Sequence, residues 1–190
     1  MTAVPVAERM TAEQFLALPP PGPPQHRQLV DGEVVVHEPR PLHQRVLMDL
    51  AFALESWTRA DPARGETTLP LDVQLDDRNV YAPDVLFYAG DRGPGWSEIV
   101  PSPMPDLAVE VRSPSTWRYD IGAKKAGYER HSLRELWLVD TAADEVLVFR
   151  RSEAGAPAFD IAVELDRGQQ LTSPLLPGFA LALAGLFPKR

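Results

Sequence analysis

Hydrophobic residues recur at helical spacing in one clear place and alternate at strand spacing in several others. Leu42, Val46, Leu50, Leu54 and Trp57 follow at intervals of four, four, four and three, which predicts an amphipathic helix over Pro41 to Trp57. Pro41 suits its first turn, where no backbone donor is lost, and His43 lies near the same end. Leu69, Leu71, Val73 and Leu75 alternate with Pro70, Asp72, Gln74 and Asp76, the pattern of a half-buried strand. After the turn Asp76-Asp77-Arg78-Asn79, the next strand is expected to begin near Tyr81 or Pro83. Phe159, Ile161, Val163 and Leu165 alternate in the same way.

Other elements follow from turn and capping chemistry. Thr11 with Gln14 reads as a capping box opening a short helix, which must end before the Pro-rich run beginning at Pro19. Gln28 to His37 reads as a strand or hairpin, with Asp31-Gly32 as its turn. Asp106 to Arg112 predicts a strand broken by Ser113-Pro114, and a helix follows from about Trp117 to His131. Glu135 to Asp140 is nearly all apolar, as expected of a strand covered on both faces. Thr141 to Asp144 turns the chain into Glu145 to Arg151, and the end is expected to form a strand and a short helical turn. Residues 1–24 read as an N-terminal helix with a Pro-rich linker and 25–190 as a single domain. A mixed sheet with helices packed on it is the architecture this order favours.

Three charges interrupt these apolar patterns. Asp84 opens Val85-Leu86-Phe87-Tyr88, and Glu110 stands between Val109 and Val111. Lys124 falls in line with Trp117, Ile121 and Tyr128 at i, i+4, i+7 and i+11. Buried charges are costly unless paired or bound to metal. The plain alternatives are a turn aspartate, a glutamate on a solvent-facing side of its strand, and a lysine snorkelling from the edge of its stripe. Two carboxylates and a lysine in one fold also suit phosphodiester chemistry, in which a hard cation takes oxygen ligands and a cation stabilises the developing charge. Glu33, after the Asp31-Gly32 turn, is a third candidate carboxylate.

Composition narrows the setting. The 190 residues suit one domain, and the absence of cysteine removes disulfides, thiol nucleophiles and thiolate metal sites. No secretory leader or membrane-spanning run is read, so a cytoplasmic protein is expected. A net charge of −8 argues against indiscriminate nucleic-acid binding. The segment from Arg112 to Arg134 nevertheless holds six basic residues against two acids, either a solvated helix face or one turned toward phosphate.

The motifs LVDGEVV (Leu29 to Val35), His43-Gln44-Arg45, DVQLDD (Asp72 to Asp77), APDVLF (Ala82 to Phe87) and PDLAVEVRSPST (Pro105 to Thr116) come in one order. They continue with Asp120, Lys124 and Tyr128, then ELWLVD (Glu135 to Asp140) and LTSPLLPGF (Leu171 to Phe179). In this the chain resembles the Uma2 (DUF820) group of restriction-endonuclease-like proteins within the PD-(D/E)XK nuclease superfamily. The resemblance implies an α/β (α+β) restriction-endonuclease-like fold, a mixed central sheet flanked by helices, with extra C-terminal strands. It further implies a DNA endonuclease using Mg²⁺ or Mn²⁺, with Asp84 and Glu110 as metal ligands and Lys124 as the catalytic lysine on the helix. Glu33 and His43 would support them, and a homodimer is common in this fold. The position two residues beyond the acid, where the superfamily's basic pattern has lysine, holds Arg112. Gln28 and Ser132-Leu133-Arg134 also depart from the group's usual Glu and Gly-Val-Pro. The alternative from another class is a non-catalytic or partner-dependent binding module that keeps the nuclease fold, and hydrolysis of a smaller phosphate ester is a third reading.

Overall fold

The computed structural model describes residues 9–20, 22, 26–95 and 100–187. Residues 1–8, 21, 23–25, 96–99 and 188–190, which include half of the Pro-rich run from Pro19, lie outside these. The capping box forms as expected: Thr11 Oγ1 accepts from Gln14 N–H, and Gln14 Oε1 accepts from Thr11 N–H. It opens α1, Ala12–Leu16. Ala12 and Phe15 of this helix are buried with Leu29 and Val80.

Leu29 and Val80 belong to a four-stranded antiparallel sheet. Its strands are β1 (His26–Val30), β2 (Glu33–His37), β4 (Val73–Asp76) and β5 (Asn79–Tyr81), in the order β2-β1-β5-β4. Asp31 and Gly32 join β1 to β2 with φ of 50° and 79°, the doubly positive turn that an Asp-Gly pair favours. The expected strand from Leu69 to Asp76 is shortened to β4. Leu69 is exposed, and Pro70 has no N–H to give a ladder. The strand expected after Asn79 divides at Ala82-Pro83 into β5 and β6 (Val85–Ala89), which belong to different sheets.

The central sheet has six strands in the order β10-β9-β8-β7-β6-β3. These are β3 (Gly65–Thr68), β6, β7 (Leu107–Val111), β8 (Glu135–Asp140), β9 (Glu145–Arg150) and β10 (Ile161–Asp166). Only β7 and β8 run parallel. A parallel pair needs a crossover, and here residues 112–134 supply it. The crossover carries α3 (Trp117–Tyr119), a π-helical segment (Asp120–Lys124) and α4 (Lys125–Arg130).

One face of the sheet packs on α2, Pro41–Arg59. Val46, Leu50 and Leu54 meet Val85, Phe87, Leu107, Val109 and Val111, and the C-terminal Leu171, Leu176, Phe179 and Leu183 complete this core. The buried stripe of α2 is His43, Val46, Leu50, Leu54 and Thr58. Leu42 is exposed and Trp57 half-buried, a correction to the stripe expected from hydrophobicity alone. The opposite face buries Ala108, Leu136 and Leu138 beneath Tyr81, Tyr128 and Leu133. A two-stranded ribbon of β11 (Gln170–Leu171) and β12 (Leu181–Ala182), then α5 (Leu183–Leu186), closes the chain. Among the described residues no helix is long and apolar enough to cross a membrane.

Candidate active site

Strands β6 and β7 pair antiparallel, with Val85 opposite Val109 as the last partners at one end. Asp84 precedes that pair on one strand and Glu110 follows it on the other, so both carboxylates stand at the same end of two bonded strands. Val109 and Val111 point into the core beneath α2. Side chains alternate along a strand, so Glu110 points to the opposite face with Ala108. The crossover covers that face. Glu110 is therefore buried, at 3 % exposure, and the solvent-facing alternative for it is wrong.

The crossover meets Glu110 with Lys124. The ammonium Nζ lies 2.6 Å from Glu110 Oε1 and 2.9 Å from Asp120 Oδ1. Tyr128 Oη donates to the same Glu110 oxygen at 2.7 Å. The Tyr81 ring lies beside the ammonium, its centroid 5.9 Å away, and edge-on to Tyr128 at 5.1 Å. The π-helical segment settles which residues share this face. Asp120, Lys124 and Tyr128 are buried, while Ile121 is 48 % exposed, so the expected alignment of Ile121 with Lys124 does not hold. Asp120 takes that place.

Asp84 is bonded from other directions. Its Oδ2 accepts from Val111 N–H at 2.7 Å and lies 3.2 Å from His43 Nε2. The His43 ring comes from the first turn of α2 and is 3 % exposed. His37, at the end of β2, places its ring 5.3 Å from that of His43. Glu33 stands apart from these contacts: it is exposed, and its Oε1 accepts from Tyr119 Oη at 2.9 Å. Gln28 Oε1 accepts from Ala82 N–H, a structural use for the side chain that replaces an acid.

Two buried carboxylates, Glu110 and Asp120, meet one buried ammonium, and a third buried carboxylate, Asp84, stands at the same end of β6 and β7. Burial pushes Glu110 up to about 8; Lys124 opposes this, and Asp120 and Asp84 add to it. Burial likewise raises Asp120, against the pull of Lys124. For Lys124, burial works downward but Asp120 and Glu110 outweigh it, holding the ammonium protonated above its usual value. Burial lowers His37 to about 4, with Asp84 opposing and His43 and His26 assisting. The cluster thus holds more acid than one lysine neutralises, and carboxylates are the ligands that hard divalent cations take.

The basic residues of the crossover are largely turned inward or toward neighbouring acids. Arg112 Nη1 contacts both oxygens of Asp140 at 2.8 Å, and Arg134 meets Asp106 at 3.2 Å. Lys125 lies over the rings of Phe149 and Phe159. Arg112 is thus a partner of β8 rather than a replacement for the site's lysine. The sequence reading assigned no role to Asp120, Tyr128, Tyr81 or His37. The spacing of Asp120, Lys124 and Tyr128 by four was available as a signal for the first two.

A solved structure described as a putative nuclease belonging to DUF820 from Anabaena variabilis ATCC 29413 superposes with a TM-score of 0.77. The match covers 94 % of this chain and 97 % of that one at 19 % identity, a likeness of fold. No functionally curated protein matches the chain. The profile of the Uma2 family, described as "Putative restriction endonuclease", matches residues 12–184. That span takes in every strand of both main sheets and the whole buried cluster, and the chain belongs to the Uma2 family.

Proposed function

We propose that this protein is a metal-dependent endonuclease that hydrolyses DNA phosphodiester bonds. Asp84 and Glu110 would hold Mg²⁺ or Mn²⁺, and Lys124 would be the catalytic cation. The observation that carries this reading is the gathering of Asp84, Glu110 and Lys124 at one end of β6 and β7, with acid in excess over base. The family description and the nuclease fold of the Anabaena protein support it at a coarser level. Such an ion, when bound, polarises a phosphoryl oxygen and lowers the pKa of water.

The chain's own groups divide the remaining work. Lys124, held as an ammonium by two carboxylates, cannot take a proton from water. It orients the nucleophile and stabilises negative charge on the phosphate, as fixed cations do where water is excluded. Asp120 and Tyr128 position Lys124 and Glu110 through their bonds to them. His43 and Val111 N–H hold the Asp84 carboxylate in orientation. Glu33, tied to Tyr119 beside Asp120, supports the outer end of the same helical run.

Supercoiled, linear and single-stranded DNA incubated with Mn²⁺ or Mg²⁺ test the reading. Wild type is expected to cleave at least one of them, and Lys124→Met and Asp84→Asn to fall to background with unchanged circular dichroism. Intact DNA under every condition, or wild-type rates in Lys124→Met, would overturn it.

A further inference from the structure

His37, His43 and Asp84 come from three separate elements, yet one ligand atom from each lies within 4.8 Å of the other two. They line a cavity of about 170 Å³ together with His26, Leu47 and Pro70. His26 is the register partner of His37 across β1 and β2, and their rings are 5.8 Å apart. It stands exposed at the rim.

The two inner rings have an unmet need. Among the described residues, five buried side-chain polar atoms lack a hydrogen-bond partner, and two of them are His37 Nε2 and His43 Nδ1. A buried nitrogen without a partner keeps its desolvation cost, so His37 Nε2 in particular asks for a reason. A plain hydrogen bond between His43 and Asp84 explains neither. It uses His43 Nε2 and leaves His37 Nε2, the atom an ion beside His43 Nε2 and Asp84 Oδ2 would satisfy, without a partner.

We infer that His37, His43 and Asp84 form a second metal site, for a divalent transition ion of the Zn²⁺, Co²⁺ or Ni²⁺ class. Imidazole nitrogen suits these ions, whereas Mg²⁺ and Ca²⁺ take oxygen. Two histidines and one carboxylate with an open fourth position is a known zinc arrangement. A tetrahedral ion with bonds near 2.0–2.1 Å needs neighbouring ligand atoms about 3.3 Å apart. His43 Nε2 and Asp84 Oδ2 already stand at 3.2 Å. Side-chain rotation of the half-buried His37 closes the rest. The Val111 N–H on Asp84 Oδ2 supplies the outer contact that orients a ligating carboxylate. Asp84 is thereby common to this site and to the oxygen-ligand site with Glu110, while the two histidines belong to this one alone.

Titration of the untagged protein with Co²⁺, followed by visible absorption and calorimetry, tests the site. Wild type is expected to take up one equivalent that Mg²⁺ in large excess does not displace. His37→Ala and His43→Ala should weaken uptake by at least about tenfold, and His37→Gln makes the same test with a polar side chain retained should His37→Ala not fold. Glu110→Gln should keep the affinity, as should His131→Ala, whose ring lies against Asp76. Absence of saturable uptake, indifference to His37, displacement by Mg²⁺, or loss in Glu110→Gln equal to that in His37→Ala each overturns the proposal. The readout is metal binding, so the nuclease reading is judged separately. A protein that binds Co²⁺ in this pattern and cuts no DNA upholds the site, and one that cuts DNA without such binding overturns it.

Discussion

Gly127 sets how closely the crossover helix approaches the sheet, and its replacement by alanine gives a test of sign. A Cβ at this position would lie 2.4 Å from Tyr81 Oη, 2.9 Å from Cε2 and 3.0 Å from Cζ. Ordinary contact needs about 3.5 Å or more, so the helix or the ring must move by roughly 0.5–1 Å. Tyr81 has little freedom to yield. It is fully buried, its hydroxyl donates to Asn79 Oδ1 at 2.9 Å, and its ring abuts Tyr128. Helix propensity alone would make Gly127→Ala stabilising by about 1 kcal/mol. Overpacking costs about 1–3 kcal/mol, so the net expectation is a loss of up to about 2 kcal/mol. Urea unfolding at constant m-value reads this directly as a lower midpoint. In a Tyr81→Phe background the 2.4 Å contact is gone, and Gly127→Ala should then cost less by about 0.5–1 kcal/mol, a coupling of the size neighbouring residues show. Cleavage should fall as well, because Lys124 lies one turn earlier on the same run and small misplacements of catalytic groups are expensive. Gly127→Ala that raises the midpoint in both backgrounds would refute the account of how the helix seats.

Three further substitutions probe other contacts. Tyr128→Phe removes the donor to Glu110 and should lower stability by about 1–3 kcal/mol in metal-free urea unfolding; an unchanged midpoint would show that the bond contributes nothing. Arg151, 8 % exposed, donates from Nε to the Leu133 carbonyl and from its other nitrogens to those of Ala156 and Glu129. Lysine cannot serve three carbonyls in that fork, so Arg151→Lys should cost about 1–3 kcal/mol, and a midpoint equal to wild type counts against it. Burial raises Glu135 although Ser173 and Trp137 donate to it. A raised folded pKa means its contribution is full below the unfolded value near 4.3 and is lost as pH rises through the folded value. Glu135→Gln should therefore gain on wild type as pH rises above the unfolded value near 4.3, and a flat or falling difference in unfolding midpoints would contradict the sign.

Much of this molecule is written locally. The spacing of Val46, Leu50 and Leu54, the Thr11–Gln14 capping box and the Asp31-Gly32 turn each depend on a few adjacent residues, and each forms as the chain predicts. The ordered motifs from Leu29 to Phe179 likewise carried the family. What local pattern could not show is which faces become covered. Glu110 in alternation reads equally well as exposed or buried, and only the crossover laid over β7 decides for burial. Ile121 fits a 3.6-residue stripe with Trp117 and Lys124, but the π-helical segment shifts the phase and turns Asp120 inward in its place. His37, His43 and Asp84 sit on different elements, so their meeting within 4.8 Å is a product of packing alone. Periodicity reports the geometry of a single segment. Burial, charge pairing and ligand sets are properties of what lies against that segment, and that is decided by the tertiary structure.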